Sequence, residues 1–588
     1  MDFSLSDEDR AQFADLTPAQ TQQLTSQLIR EDKQQIVDLK NRILALRNHV
    51  RALRRVHNKA ALINVKLPVE ILVVILRMAG SWRSSKYAML LTHVCHAWRT
   101  IIHATPVYWV DFLSPYTENY PFGQKGEDPS IILAALARSA SMPLKLALSG
   151  GFLSLYKHPY AKPHFSRITV LILDLPGEEH RDIRPLYNLR LPMLDILQIH
   201  MDCRKLDIPE GLSLPSPGPA HFPRLRVLLT TCVKVSLAWV GSSLDRLMIG
   251  VLDKMEGTSR EMRDLRCCHL DSLSQLLKAL ERCPNLASLS LLSCLPQRLT
   301  LTASPLFIRL DQLEEIYVAD QATHVQTFLE CVGLPDTASL AISTESAYDA
   351  LSEFLPVINP LSCIPTLRMA SLILESESAP SPFPYTVRGC VESEEIDLDW
   401  DSVLTVESCA PPVQSRHLDL SQLFQGFARI FSPALVTALF VNLHDQDISL
   451  RPGQSDAWLW LLHYFPNVRV LQLEAVSFTE FFAVLAQEDV VPELERLYVT
   501  LTGTTTDWAA EHEAALAALP QRAARATPGP RLLFMYRRRM LGGDLAEVPL
   551  VRSYVDRFAK AMAAENLPTH RGFSMLYKPE LDTKMLDC

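Results

Sequence analysis

Residues 284–289 read Pro284-Asn285-Leu286-Ala287-Ser288-Leu289. The same phrase, Pro-x-aliphatic-x-x-Leu, returns at Pro192-Met193-Leu194-Asp195-Ile196-Leu197, Pro223-Arg224-Leu225-Arg226-Val227-Leu228, Pro466-Asn467-Val468-Arg469-Val470-Leu471 and Pro492-Glu493-Leu494-Glu495-Arg496-Leu497. Weaker copies are Leu313-Glu314-Glu315-Ile316 and Pro365-Thr366-Leu367. Pro192 and Pro223 lie 31 residues apart, Pro223 and Pro284 61, and Pro466 and Pro492 26, so the phrase recurs at one or two units of 26 to 31 residues. Apolar residues at helical spacing precede several copies, such as Leu276, Leu277, Leu280 and Cys283 before Pro284, and the stretch from Trp458 to Phe465 before Pro466. A unit of one strand and one helix cannot bury its apolar side alone, so units of this kind stack. Alternate strand positions then point into the stack, and the residues between them face the opposite surface. Roughly nine to eleven irregular units fit between Phe165 and Thr500 on this spacing.

The phrase resembles the leucine-rich repeat, although the asparagine ladder of the regular repeat is missing. The resemblance implies a solenoid of strand-helix units over residues 146–545; the competing reading is an unrelated α/β fold that carries the phrase by coincidence. Two stretches interrupt the array and read as loops: Leu212 to Ala220, and Ser376 to Asp401. The second runs from Ser and Pro into Glu392, Glu394, Glu395, Asp397, Asp399 and Asp401, a charge pattern usual in a solvated loop. After Thr500 come an Ala-rich helix near Trp508 to Leu519, a basic run Arg537-Arg538-Arg539 and a tail over 546–588.

Residues 61–112 form a compact helical module. Pro68 suits a first helical position, because its missing N–H would be unpaired there in any case. Ile71, Leu72, Ile75 and Leu76 follow at helical spacing, and Gly80-Ser81 stops the helix. A second short helix is expected over Tyr87 to Thr92 and a third from about Val94 to His103, ended by Thr105-Pro106. The ordered set Leu67-Pro68-x-Glu70-Ile71-Leu72, Val94-Cys95-x-x-Trp98-Arg99 and Pro106-x-x-Trp109 resembles the F-box. The polar stretch Ser81 to Lys86 departs from it, where many F-boxes carry an apolar-acidic turn. The resemblance implies docking to a small Skp-type adaptor that links the chain to a cullin scaffold. The contact set carried over is Leu67, Pro68, Ile71, Leu72, Ile75, Val94, Cys95, Trp98 and Trp109. A physical argument stands beside it: a module of about 50 residues has too small a core to hide so many large apolar groups. The plain alternative is that Val94 and Trp98 are core.

Upstream, Ile29, Ile36, Ile43 and Val50 fall every seven residues, and Leu39, Leu46 and Leu53 lie three after the last three of them. Asp32 spoils the first heptad, and no Gly or Pro occurs from Ala19 to Leu67. β-Branched residues at the first seam position and Leu at the second favour a parallel two-stranded coiled coil, which predicts a homodimer through residues 29–56. The alternative is a single helix packed on its own chain. Between Leu28 and Ala60 there are nine Lys or Arg against three Asp or Glu, but no aromatic residue interleaves, so a solvated basic face is expected there, not nucleic-acid binding.

Composition narrows the rest. The chain has 588 residues, 48% apolar and 21% charged, with a net charge of −9, values ordinary for globular domains and not suggestive of nucleic acid or an anionic membrane as partner. The acidic opening carries Asp7, Glu8 and Asp9 where a secretory signal would be basic, and the aliphatic run Ile71 to Leu76 is far too short to span a bilayer. The 12 cysteines are scattered, which fits reduced thiols in the cytoplasm or nucleus. Phosphate-binding Gly-rich loops, nucleophile elbows and kinase motifs are missing from the sequence. His93-x-Cys95-His96 and Cys267-Cys268-His269 lack a second ligand pair at metal-site spacing, and Glu511-His512-Glu513 are helix neighbours that diverge.

The expected fold class is therefore α/β: an N-terminal heptad helix over 1–60, a three-helix F-box over 61–112, a connector over 113–145, a leucine-rich-repeat-like solenoid over 146–545 and a C-terminal tail over 546–588. The expected function is the substrate-recognition subunit of a Skp-cullin-F-box ubiquitin ligase, with no catalytic residues, no metal and no cofactor, and an unspecified protein target held by the solenoid. The alternative is a non-ligase interaction scaffold on the same solenoid.

Overall fold

The computed structural model describes residues 6–79, 85–113, 129–149, 152–175, 189–201, 222–231, 237–250, 272–296, 306–344, 363–374, 385–391, 403–408, 420–443, 454–475, 477–487, 489–502 and 533–539, with a few positions besides, including parts of 353–361 and 510–518. The expected loop at 212–220, the acidic run from Glu392 to Asp401, the Cys267-Cys268-His269 cluster and the tail over 546–588 lie outside the described residues. The chain divides into two compact units, residues 1–145 and 146–588.

The first unit is helical. It holds α1 (Asp7–Phe13), α2 (Pro18–Lys59), α3 (Leu62–Lys66), α4 (Val69–Ala79), α5 (Ser85–Val94), α6 (His96–His103), α7 (Pro106–Leu113) and α8 (Pro129–Arg138). Helix α2 starts with Pro18 in its first turn, and the Gln20 side chain accepts a hydrogen bond from the Thr17 N–H at 3.0 Å. The helix ends at Lys59, at the expected boundary near residue 60 although no Gly or Pro occurs from Ala19 to Leu67, and Ala61, with extended backbone at φ −60° and ψ 135°, starts the separate α3. Two boundaries differ from the sequence reading. The third module helix begins at His96, because Cys95 caps it from extended backbone and accepts from the Trp98 N–H, which leaves Val94 as the last residue of α5. A further helix, α7, follows after Thr105, with Pro106 at its first position.

The second unit is built on one large, mostly parallel sheet. Its strands are β1 (Leu144–Ser149), β2 (Ile168–Leu175), β3 (Ile196–Met201), β4 (Val227–Thr231), β5 (Arg246–Gly250), β6 (Ser288–Leu292), β7 (Ile308–Arg309), β8 (Glu315–Asp320), β9 (Val332–Gly333), β10 (Ser339–Thr344), β11 (Met369–Leu374), β12 (Tyr385–Cys390), β13 (Leu404–Ser408), β14 (Ala438–Leu443), β15 (Val470–Ala475), β16 (Arg496–Thr502) and β17 (Leu533–Arg539). The order across the sheet is β1-β2-β3-β4-β5-β6-β8-β10-β13-β12-β11-β14-β15-β16-β17, while β7 and β9 pair separately. Strands adjacent in sequence are therefore mostly adjacent in space. The exception is the middle, where β12 pairs antiparallel with both β11 and β13. This corrects the reading of Ser376 to Asp401 as a loop: Tyr385–Cys390 within it is an interior strand.

The Pro-x-aliphatic phrase makes the turn that feeds each strand. In the best copies the residue before Pro accepts a hydrogen bond from the N–H three residues on: Leu191 from Leu194, Phe222 from Leu225, Cys283 from Leu286, Phe465 from Val468 and Val491 from Leu494. Pro thus sits at the second turn position, which its fixed φ suits, exposed between two buried residues. Past the turn, carbonyls step regularly from strand to strand. The Asp195 carbonyl accepts from Arg226 and Val227, that of Arg226 from Asp245 and Arg246, and that of Asp245 from Ala287 and Ser288.

Register then lines the apolar positions into rows. One row runs Leu173, Ile199, Thr230, Ile249, Leu291, Val318, Ile342, Val406, Val387, Leu372, Val441, Leu473 and Val499, every member buried. On most strands the residue one position earlier, such as Gln198, Met248, Ser290, Tyr317, Thr405 and Tyr498, is only half-buried and belongs to the other face, whereas Ile172, Ser371 and Phe440 at the same positions of β2, β11 and β14 are buried. Among the described residues this unit also holds helices α9 (Phe152–Lys157), α10 (Lys162–Phe165), α11 (Leu273–Glu281), α12 (Ala322–Glu330), α13 (Leu420–Ala428), α14 (Ser455–Tyr464) and α15 (Thr479–Leu485). The last three are bound through aromatic edges, with Phe424 5.0 Å from Trp458 and Trp458 5.3 Å from Phe481. A helix in every unit is not general, however. Between β4 and β5 the described residues carry only the 3₁₀ turn Leu237–Trp239, and Trp239 packs on Phe222 at 5.5 Å.

Among the described residues, no helix is long and apolar enough to cross a membrane.

A candidate partner-binding face on the helical module

Helix α4 reads VEILVVILRMA and is apolar nearly all round, so it cannot turn every side chain into a small core. Leu72 and Leu76, four residues apart, point inward and are buried. Ile71, Val74, Ile75 and Met78 lie at the i, i+3, i+4, i+7 spacing of a second stripe, and this one faces solvent: Ile71 is 48% exposed and Met78 75%. The four residues read from sequence as one stripe, Ile71, Leu72, Ile75 and Leu76, therefore divide between two faces, because neighbours on a helix point about 100° apart.

The inward face closes on α6 and α7. Ile102, Tyr108, Trp109, Phe112 and Leu113 are buried with Leu72 and Leu76. The Trp109 indole N–H donates to the Ile102 carbonyl at 2.9 Å, its ring meets Tyr108 and Phe112 edge-on, and the Arg138 guanidinium stands 4.9 Å over it. Burial pushes the Tyr108 phenol up to about 12. An ion pair between Arg77 and Asp111 at 2.5 Å ties α4 to α7, and the Arg99 Nε–H donates to the Thr92 carbonyl at 2.8 Å, tying α6 to the end of α5.

The nine residues expected to meet a partner thus fall into two groups. Pro68, Ile71, Ile75 and Val94 are exposed, and Leu67 and Trp98 are half-buried. Leu67 keeps extended backbone at φ −90° and ψ 129°, as the residue before a proline should. Leu72, Cys95 and Trp109 are corrected to internal positions. Leu72 is 3% exposed and Trp109 1%, both packed in the module's own core, and Cys95 is the buried cap of α6. The face also includes residues the sequence reading passed over: Val69, Val74 and Met78 on α4 and Leu90 on α5, all exposed. The signal was the i, i+3, i+4, i+7 spacing from Ile71 to Met78.

Elsewhere, the polar groups read as caps and core. His93 and His96 are exposed on either side of the buried Cys95, and no cluster of three or more metal-binding side chains occurs among the described residues. Asp320 accepts from the N–H groups of Leu295 and Gln321 and pairs with His324 at 3.0 Å at the start of α12. The nearby Cys294 thiol is held protonated, pushed far up by full burial and by the Asp320 carboxylate, and burial raises Cys283 and Cys363 to about 11. Such thiols are poor nucleophiles at neutral pH. Of the Glu511-His512-Glu513 trio, Glu511 is buried and Glu513 exposed. Glu511 accepts from the Phe478 N–H and the Thr479 hydroxyl, each at 2.8 Å, and from the Ser477 hydroxyl, fixing the start of α15.

Comparison of the chain with protein-family models and with curated proteins finds no match to either.

Proposed function

We propose that this chain is the substrate-recognition subunit of a Skp-cullin-F-box ubiquitin ligase. Residues 61–112 act as the F-box and dock the adaptor, and the strand array acts as a leucine-rich-repeat solenoid that holds the target on its half-exposed face. The chain does no bond chemistry of its own. It raises the local concentration of a target lysine near the charged conjugating enzyme, in the cytoplasm or nucleus. The observation that carries this reading is the second apolar stripe of α4. Ile71, Val74, Ile75 and Met78 stand in solvent on a helix whose other face already fills the core, with Leu90 and Val94 exposed on α5. Burying an Ile is worth about 1.5–3 kcal/mol, so such a stripe drives association once covered. The target face offers mixed side chains, Gln198, Met248, Tyr317 and Tyr498 among them, suited to a protein surface.

The test is a pull-down of the full chain by purified Skp-type adaptor, beside an Ile71→Asp/Ile75→Asp variant. Both side chains already lie in solvent, so the variant keeps its thermal midpoint while losing adaptor binding by about a hundredfold or more. A folded parent chain that fails to bind the adaptor overturns the ligase reading and leaves the non-ligase scaffold.

A further inference from the structure

Helix α2 has 42 residues and buries none of them. Its seam residues Ile29, Ile36, Ile43, Val50, Leu39, Leu46 and Leu53 are all 45–57% exposed. A strict seven-residue seam of Ile or Val and Leu is shaped to be covered by another helix. The residues that border the seam decide which helix. Four positions after each first-set seam residue stand Lys33, Lys40, Arg47 and Arg54, and six positions after stand Gln35, Arg42, His49 and Val56. Both borders carry cations and neither carries an acid.

A second copy of α2 is a poor occupant on these grounds. In a parallel pair, Arg42 would face Arg47 of the other copy, His49 would face Arg54, and Gln35 would face Lys40. Asp32, at a second seam position, would meet its own image inside the seam, a like-charge contact away from water. Reversing one copy sets cation borders against cation borders again and leaves Asp32 against an apolar layer. A helix bordered by Glu and Asp turns each of those repulsions into attraction, and a Lys or Arg opposite Asp32 sets its register. A lipid surface fits less well: α2 has no aromatic residue to lodge at an interface, and beyond the seam its exposed large apolar residues are only Val37, Leu44 and Val56.

We infer that α2 is one half of a heterotypic coiled coil. Its partner is a helix of another protein with an Ile/Val/Leu seam, acidic borders and a basic residue facing Asp32. This replaces the homodimer expected from the seam alone and does not depend on the ligase reading.

The experiment uses the full chain and two synthetic helices of about 30 residues with the same Ile and Leu seam. The acidic probe has Glu at both borders and Lys opposite Asp32; the basic probe has Lys at both borders. Fluorescence anisotropy is expected to show the acidic probe binding at least about a hundredfold tighter than the basic one, with affinity falling as salt rises. The full chain alone is expected to sediment as a monomer at the same concentration. A Lys40→Glu/Arg47→Glu/Arg54→Glu variant, which alters only exposed positions, is expected to reverse the preference while circular dichroism stays unchanged. Equal affinity for the two probes overturns the proposal. So does a full-chain dimer that Ile36→Asp/Ile43→Asp dissolves, which would make the occupant a second copy. Binding of the chain to anionic phosphatidylserine vesicles in competition with the acidic probe would overturn it in favour of a membrane.

Discussion

Gly250 ends β5 with φ at +144°, a region L side chains rarely enter, and a Cβ built there would stand 1.9 Å from the Leu292 carbonyl oxygen. That oxygen belongs to the neighbouring strand β6, so relief would need backbone movement rather than a rotamer change. Gly241, one turn earlier, has nothing within 4 Å of its would-be Cβ. The pair makes an internally controlled prediction. Gly250→Ala is expected to destabilise the second unit by about 3 kcal/mol or more, and Gly241→Ala to leave it within about 0.5 kcal/mol. Thermal unfolding of the full chain would show the first as a lowered midpoint and the second as none; equal midpoints would mean that the close approach at Gly250 relaxes freely. A different constraint operates at Gly389 on β12. It occupies a row in which its partner on β13 is the buried Leu404, yet a Cβ there would come within 2.7 Å of Leu367 Cδ1 and 3.0 Å of Phe431. Leu367 and Phe431 already fill the space that the large residue fills elsewhere in the row.

At the scale of elements, α6, α7 and α8 meet around Trp109, beside which His103 and Arg138 stand. Burial lowers the His103 pKa below its usual 6.5, and the nearby Arg138 and Arg99 guanidinium groups lower it further. His103 lies 5.7 Å from the Trp109 ring over which Arg138 sits. With the folded value depressed, the unfolded chain takes up the proton first as pH falls. This contribution to stability is therefore intact above the unfolded pKa and is lost as pH drops below it toward the folded value. His103→Gln is expected to reduce the loss of thermal midpoint between pH 7 and pH 5 relative to the parent chain; an identical loss in both would rule His103 out. Element by element, the sequence was most readable where one physical requirement dominated. The phrase around Pro284 marks its turn because Pro fixes φ at the second turn position, and the Leu spacing after it marks the buried row. Strand β12 escaped notice because Pro380, Pro382 and Pro384 precede it and acids follow it, as in a loop. Its Tyr-Thr-Val-Arg-Gly-Cys run lies buried at all but Arg388, so the alternation that betrays a half-buried strand is missing. The candidate face on α4 was half legible. The apolar content of 69–79 was plain, but which residues turn inward depends on the positions of α6 and α7, which the local sequence does not state.

For the second unit as a whole, the sheet order raises the question of how far a local injury spreads. From β2 to β10 the strands of the large sheet follow one another in chain order, with only the separate β7–β9 pair set between them, and the turns and carbonyl steps also join nearest units. Such a stack behaves as a chain of local interfaces, each stabilising the next, and not as a core in which every element touches every other. Leu291 on β6 is fully buried between Ile249 of β5 and Val318 of β8. Leu291→Ala removes a side chain from this layer and is expected to cost about 2–5 kcal/mol locally. Amide exchange of the full chain should then quicken in β5, β6 and β8, while β14, β15 and β16, on the far side of the antiparallel segment β11–β13, keep the parent's protection. A uniform rise in all strands would show one cooperative body and would argue against a repeat array. On the proposed reading of the sheet as a target-binding face, a locally yielding stack would adjust a few strands to a bound protein while the rest holds its register, so substitutions at one end would leave contacts at the other intact.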